Sequence, residues 1–283
     1  MNAQRHGLDI RRIVVALDAS PHSYAALEAA VRLASLFKAD LLGLYVEDIN
    51  VLRLAELPFV REVGAFSTTT RRVQKKDLER QFRMRTLEIS DRIAALASQQ
   101  GVQQTFRVSR GKVLPEILEV SSDADVLIVG KTGWSQIKCR RWGSTARAIY
   151  ADETPRLVML LQNGTELAGP IMLVYDGSPL AQKALEVAAV LHEKRHGPLH
   201  VLVLVNGEKR APDLLAEVAS MLQDFGTEGH YQTLVESNIP KLARVIQSAT
   251  FGTLILPDKV KLLQDDALLT LLEEIDIPIL LVK

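Results

Sequence analysis

The chain has 283 residues, of which 47% are hydrophobic and 24% charged, a composition that excludes a disordered chain and suits two ordinary domains with cores of their own. Its longest apolar runs are strand-sized, short of the ~20 residues a membrane-spanning helix needs. The net charge of zero hides an asymmetry, with 24 Lys and Arg against 18 Asp and Glu in residues 1–161 and 10 against 16 in residues 162–283. That basic surplus reads either as solvated surface or as a half that handles an anionic ligand, and without interleaved aromatic residues it argues against nucleic acid.

The chain passes from residues 1–6 almost at once into a strand, with neither a signal peptide nor a lipidation motif, so a cytoplasmic protein is expected. Ile13-Val14-Val15-Ala16-Leu17 is an apolar run of strand length, closed by Asp18. Ser20 is a natural helix N-cap and Pro21 fits the first helical position, after which Ala26, Ala30 and Leu33 keep helical spacing. A second strand is expected over 41–46. The Arg-rich stretch 49–85 follows, leading into a helix that runs to Ala97; it reads as a surface excursion or as a lid or partner-docking element. Strands are expected again over 126–129 and, just after Pro155, over Leu157–Leu161.

Beyond a linker at 162–170, broken by Asn163-Gly164 and Gly169-Pro170, the pattern starts again. Ile171-Met172-Leu173-Val174-Tyr175-Asp176-Gly177-Ser178-Pro179 repeats the first strand, Asp, Ser and Pro, and Ala184, Ala188 and Leu191 continue it. Strands follow over 200–205, 254–256 and Ile279–Val282. The second copy is 31 residues shorter, the difference falling in 49–85. Strands alternating with helices predict an α/β chain of two tandem, doubly wound, mostly parallel domains, residues 1–161 and 170–283.

The chemistry-bearing motif follows the strand at 126–129: Gly130-Lys131-Thr132-Gly133, nine residues, then Gly143-Ser144-Thr145 opening a helix. Glycines directly after a strand let backbone amides approach phosphate oxygens, and the helix start adds unpaired N–H groups and two hydroxyls. Lys131, Lys138, Arg140 and Arg141 are expected to surround that anion. A Walker loop is excluded, because its first glycine would fall at Asp125, and a dinucleotide fingerprint fails because the first strand leads into Asp18-Ala19-Ser20.

With Gly130, Gly133, Gly143 and Ser144 in the pattern Gly-x2-Gly-x9-Gly-[Ser/Thr], and a strand-Asp-x-Ser start in each copy, the chain resembles the universal stress protein family in a tandem arrangement over nearly its whole length. The resemblance implies Rossmann-like domains with strand order 3-2-1-4-5 and an adenine nucleotide, ATP or another, between the first and fourth strands, where open α/β sheets also place ligands. It implies Ala16 and Asp18 beside the nucleotide, the Val46 backbone toward adenine, and Gly130, Thr132, Gly133, Gly143, Ser144 and Thr145 around ribose and phosphates. Asp18 has a competing role in stabilising the turn and helix start. The alternative weighed for the glycine motif is a ligand-free loop.

The second copy has Pro257 where Gly130 stands, then Asp258-Lys259-Val260-Lys261, and no glycine before its last strand. Proline lacks the N–H donor and Asp258 repels phosphate, so this copy is expected to be a degenerate partner that covers the first as a second subunit would, through the final strands. A homodimer of such chains is a further expectation. Cys139 sits among Lys and Arg that could lower its pKa, yet a lone cysteine is more often incidental. Trp134 and Trp142 flank the loop or simply pack, and His192 and His196 lack the context of a metal site.

Three functions are weighed: an ATP-binding stress-response or regulatory protein with little turnover, a slow ATPase or nucleotide hydrolase with Mg2+ held by Asp18 and phosphate oxygens, and a nucleotide-free interaction module whose stretch 49–85 binds an unknown protein partner.

Overall fold

The computed structural model describes residues 8–57, 61–63, 70–72, 75–133, 142–207, 210–235, 238–248, 251–263 and 265–283. β1 (Arg12–Leu17) is a buried strand that turns through Asp18 and Ala19 into α1 (Pro21–Phe37). Ser20 adopts extended backbone, and its hydroxyl accepts the Ser23 amide at 3.2 Å, which satisfies one orphan donor of the first turn. Pro21 is harmless there, since its missing N–H would have no helical partner. β2 (Asp40–Asp48) then pairs parallel to β1, Ile13 opposite Leu41.

The stretch that makes the first repeat longer holds α2 (Ile49–Glu56), capped by the Asp48 carboxylate, and a hairpin of β3 (Arg61–Val63) and β4 (Thr70–Arg72). It also lengthens the following helix, α3 (Lys75–Gln100). β5 (Gln104–Gly111), α4 (Val113–Ser121), β6 (Val126–Gly130), α5 (Ser144–Ala151) and β7 (Leu157–Leu161) complete the repeat.

The second repeat runs β8 (Ile171–Tyr175), α6 (Pro179–Arg195), β9 (Leu199–Val205), α7 (Ala211–Asp224), β10 (His230–Val235), α8 (Ile239–Gln247), β11 (Thr253–Pro257), α9 (Asp265–Glu274) and β12 (Ile279–Val282). Ser178 caps α6 as Ser20 caps α1, accepting from the Ala181 amide at 3.1 Å. β5 and β10 were not among the strands expected from the sequence. They are the outermost strands, with no residue of either buried, so they lack the apolar run that marks a buried parallel strand.

Both repeats have the expected order 3-2-1-4-5, and they join in a single ten-stranded sheet, β10-β9-β8-β11-β12-β7-β6-β1-β2-β5. Every pairing is parallel except the central one, where β12 lies antiparallel to β7 with Leu281 opposite Val158. Along β1 the side chains alternate between two cores. Ile13, Val15 and Leu17 enter one, formed with α1, α3, α6 and α7, and Val14 enters the other, formed with α4, α5, α8 and α9. Each core is continuous across both repeats, so the halves share their apolar burial.

Candidate functional site

The carboxyl ends of β1 and β6 open onto a cleft of about 250 Å³, at the point where the strand order reverses. Nine residues singled out from the sequence line it together: Ala16, Asp18, Val46, Gly130, Thr132, Gly133, Gly143, Ser144 and Thr145. Asp125, the residue that excludes a Walker loop, acts at the far end of these strands, its carboxylate accepting the Arg11 and Arg12 amides at 2.7 and 2.9 Å.

The polar end of the cleft is built from the glycine motif. The Gly143 amide donates to the Lys131 carbonyl at 2.9 Å, which brings the two limbs of the motif side by side. Gly143 is then the N-cap of α5 and, having no side chain, leaves the helix start without a side-chain cap. The amides of that first turn, with the helix dipole behind them, carry partial positive charge toward the cleft. Close approach explains two of the glycines. A Cβ on Gly133 would lie 2.8 Å from Asp18 Oδ2, and one on Gly130 would lie 3.0 Å from the His22 backbone.

Asp18 takes the turn-stabilising role and stands at the cleft as well. Its Oδ1 accepts the Ser20 amide at 2.9 Å, fixing the turn, and the residue also lines the cleft. Close by, the His22 Nδ1 accepts the Asn163 amide at 3.0 Å, which ties the linker to the start of α1. Burial holds this imidazole below its ordinary value of 6.5, opposed by Asp18 and reinforced by Lys131.

Lys131 does not join the lining of the cleft. It is 1% exposed, and its ammonium donates to the carbonyl of Ile275, in the second repeat. Lys138, Cys139, Arg140, Arg141 and Trp134 lie outside the described residues. Trp142 packs in the core, its indole N–H donating to the Leu272 carbonyl at 3.3 Å and its ring edge-on to Tyr150.

The apolar end of the cleft went unread in the sequence. Leu44 and Val129 come from β2 and β6, and Val113 and Ile117 from α4. The signal was available: Val113 and Ile117 stand four apart, on one face of a helix that starts directly after β5.

The corresponding place in the second repeat is occupied by the protein itself. Asp176, the counterpart of Asp18, is 7% exposed; its Oδ1 accepts the Ser178 amide at 2.9 Å and its Oδ2 accepts the Lys261 amide. Val260 is buried, and the Leu263 amide donates to its carbonyl at 2.9 Å, so the loop after β11 closes in on Asp176. Among the described residues, no three His, Cys, Asp or Glu side chains gather as a metal site, and no helix is long and apolar enough to cross a membrane.

No curated protein matches the chain. Among solved structures it is similar to a universal stress protein from Archaeoglobus fulgidus DSM 4304, with a TM-score of 0.73 at 15% identity over 96% of this chain and 98% of that one. It is also similar to a functionally unknown protein, PA1789, from Pseudomonas aeruginosa PAO1, with a TM-score of 0.61 at 12% identity over 98% and 93%. At such identities the likeness is one of fold. The model of the universal stress protein family matches residues 9–151, half of the chain and the whole of the glycine motif. The chain thus belongs to the universal stress protein family.

Proposed function

We propose that this is a regulatory protein of a stress response that binds one adenine nucleotide per chain, ATP or a relative of it, in the first repeat. The observation that carries the reading is the meeting, in one cleft, of an apolar slot and a helix start without a side-chain cap. A nucleotide has those same two ends. Ala16, Leu44, Val113, Ile117 and Val129 would enclose the base, with the Val46 backbone available to its edge, and Gly130, Thr132, Gly133, Gly143, Ser144 and Thr145 would face ribose and phosphates. In the second repeat Val260 and the Lys261 amide fill the equivalent space, and Pro257 brings no N–H donor. This supports binding in the first repeat alone.

Calorimetry with ATP and Mg2+ tests the reading. The expected stoichiometry is one per chain. Gly143→Trp should weaken binding by about two orders of magnitude or more, since it denies phosphate at least two charge-assisted bonds of about 1.5–3 kcal/mol each. Asp258→Asn should leave affinity unchanged. A stoichiometry of two, or wild-type affinity in Gly143→Trp, would overturn the assignment.

A slow hydrolase is the second reading, favoured by the nearness of the Asp18 carboxylate to Gly133. One carboxylate with phosphate oxygens is an ordinary Mg2+ environment, so Asp18 fits the ion, which would shield the negative charge of the phosphates when bound. Phosphate release that disappears in Ser144→Ala would favour this reading; equal release from both proteins would leave the chain a binder.

A further inference from the structure

Lys131 stands between the glycines of the motif, yet it is among the most buried side chains in the molecule and turns away from the cleft. Burying an ammonium group is costly unless it is met by strong acceptors. Here one acceptor is the Ile275 carbonyl, just past the end of α9, where the helix dipole is negative and carbonyls lack helical partners. Trp142, on the other limb and next to Gly143, donates to the Leu272 carbonyl in the last turn of the same helix. One turn into α5, Arg147 pairs with Glu273. Both limbs of the motif, and the helix it opens, are therefore fastened to one end of α9. The docking is reciprocal, because Tyr150 of α5 donates to the Asp258 carbonyl in the loop after β11, at 3.2 Å.

We propose that Lys131 and Trp142 are positioning residues which hold the phosphate-facing amides against α9, so that the second repeat is a working part of the first repeat's site. The inference deepens the nucleotide-binding reading and rests on it for the ligand. Because both limbs hang on α9, a ligand that fixes the amides also fixes the contact between repeats, and whatever loosens the contact weakens the ligand. Such linkage acts equally in both directions.

The test uses the full chain and two variants, Lys131→Met, which keeps length and apolar packing, and Trp142→Phe, which keeps an aromatic ring and loses the donor together with part of the indole's buried volume. Hydrogen exchange without nucleotide is expected to be faster at amides 143–146 and 272–275 in both variants, and unchanged in β8 and β9. ATP affinity, measured by calorimetry with Mg2+, is expected to fall about tenfold, toward the low end of ordinary couplings between sites. Added ATP should slow exchange at 272–275 in the wild type. Should Lys131→Met fail to fold, Trp142→Phe carries the same comparison. Unchanged exchange at 143–146 in a folded variant, with ATP bound as tightly as by the wild type, would overturn the positioning role and leave the nucleotide reading standing. Faster exchange in the variants, with no ATP bound by the wild type, would support the fastening and overturn the nucleotide reading.

Discussion

Ala19 occupies the turn between Asp18 and its helix with φ at 62°, a left-handed conformation that costs an L-residue roughly 1 kcal/mol or more, while the second repeat has Gly177 in the same place. Ala19→Gly should therefore stabilise the chain by about 0.5–1 kcal/mol in urea denaturation; the gain is partly offset by the larger backbone entropy glycine has when unfolded. His22 sets a second expectation. Its folded-state pKa lies below the ordinary 6.5, so the neutral form is the one that fits. The unfolded chain takes up a proton first as pH falls. The stabilisation from His22 is full above about 6.5 and is lost as pH falls from there through the lower folded value, and with it goes the bond from the Asn163 amide. Histidine resonances followed by NMR, with melts between pH 7.5 and 5, check the direction; His22→Gln should flatten part of that dependence.

The glycine motif acts as an element, and its two limbs respond differently to added bulk. Gly133→Ala sets a Cβ 2.8 Å from Asp18 Oδ2, so the carboxylate must leave the Ser20 amide or the loop must shift, and about 1–3 kcal/mol of stability should be lost. A Cβ on Gly143 meets nothing closer than the Gly133 amide nitrogen at 3.5 Å, an ordinary contact. Gly143→Ala should cost no more than about 1 kcal/mol, the difference between glycine and alanine at a helix cap, as denaturation curves of the two variants will tell. The motif was legible because backbone amides that are open to close approach require small residues at fixed spacing, and spacing survives in sequence. Lys131 misled for the opposite reason: a basic residue between two glycines reads as an anion partner, and only the packing of α9 against the loop reveals what its charge meets. β5 and β10 escaped notice because an edge strand with no residue buried is patterned by neighbours and solvent more than by its own run of residues.

At the scale of the whole molecule, the decisive feature is the antiparallel pairing of β7 with β12, which merges two sheets and both pairs of cores. Leu281 is fully buried at this seam, and Leu281→Ala should cost about 2–5 kcal/mol. Since the cores are shared, the loss should be felt in both repeats: amides in β1 as well as β8 should exchange faster, within a single thermal transition. Two separate transitions, or faster exchange confined to the second repeat, would show that the halves melt independently. In a pair of identical chains every substitution is made twice, so neither member could exchange Gly130 and its neighbours for Pro257 and Asp258 while the other kept them. Joining the copies in one chain across this seam lifts that restriction, and leaves each loop to drift on its own history.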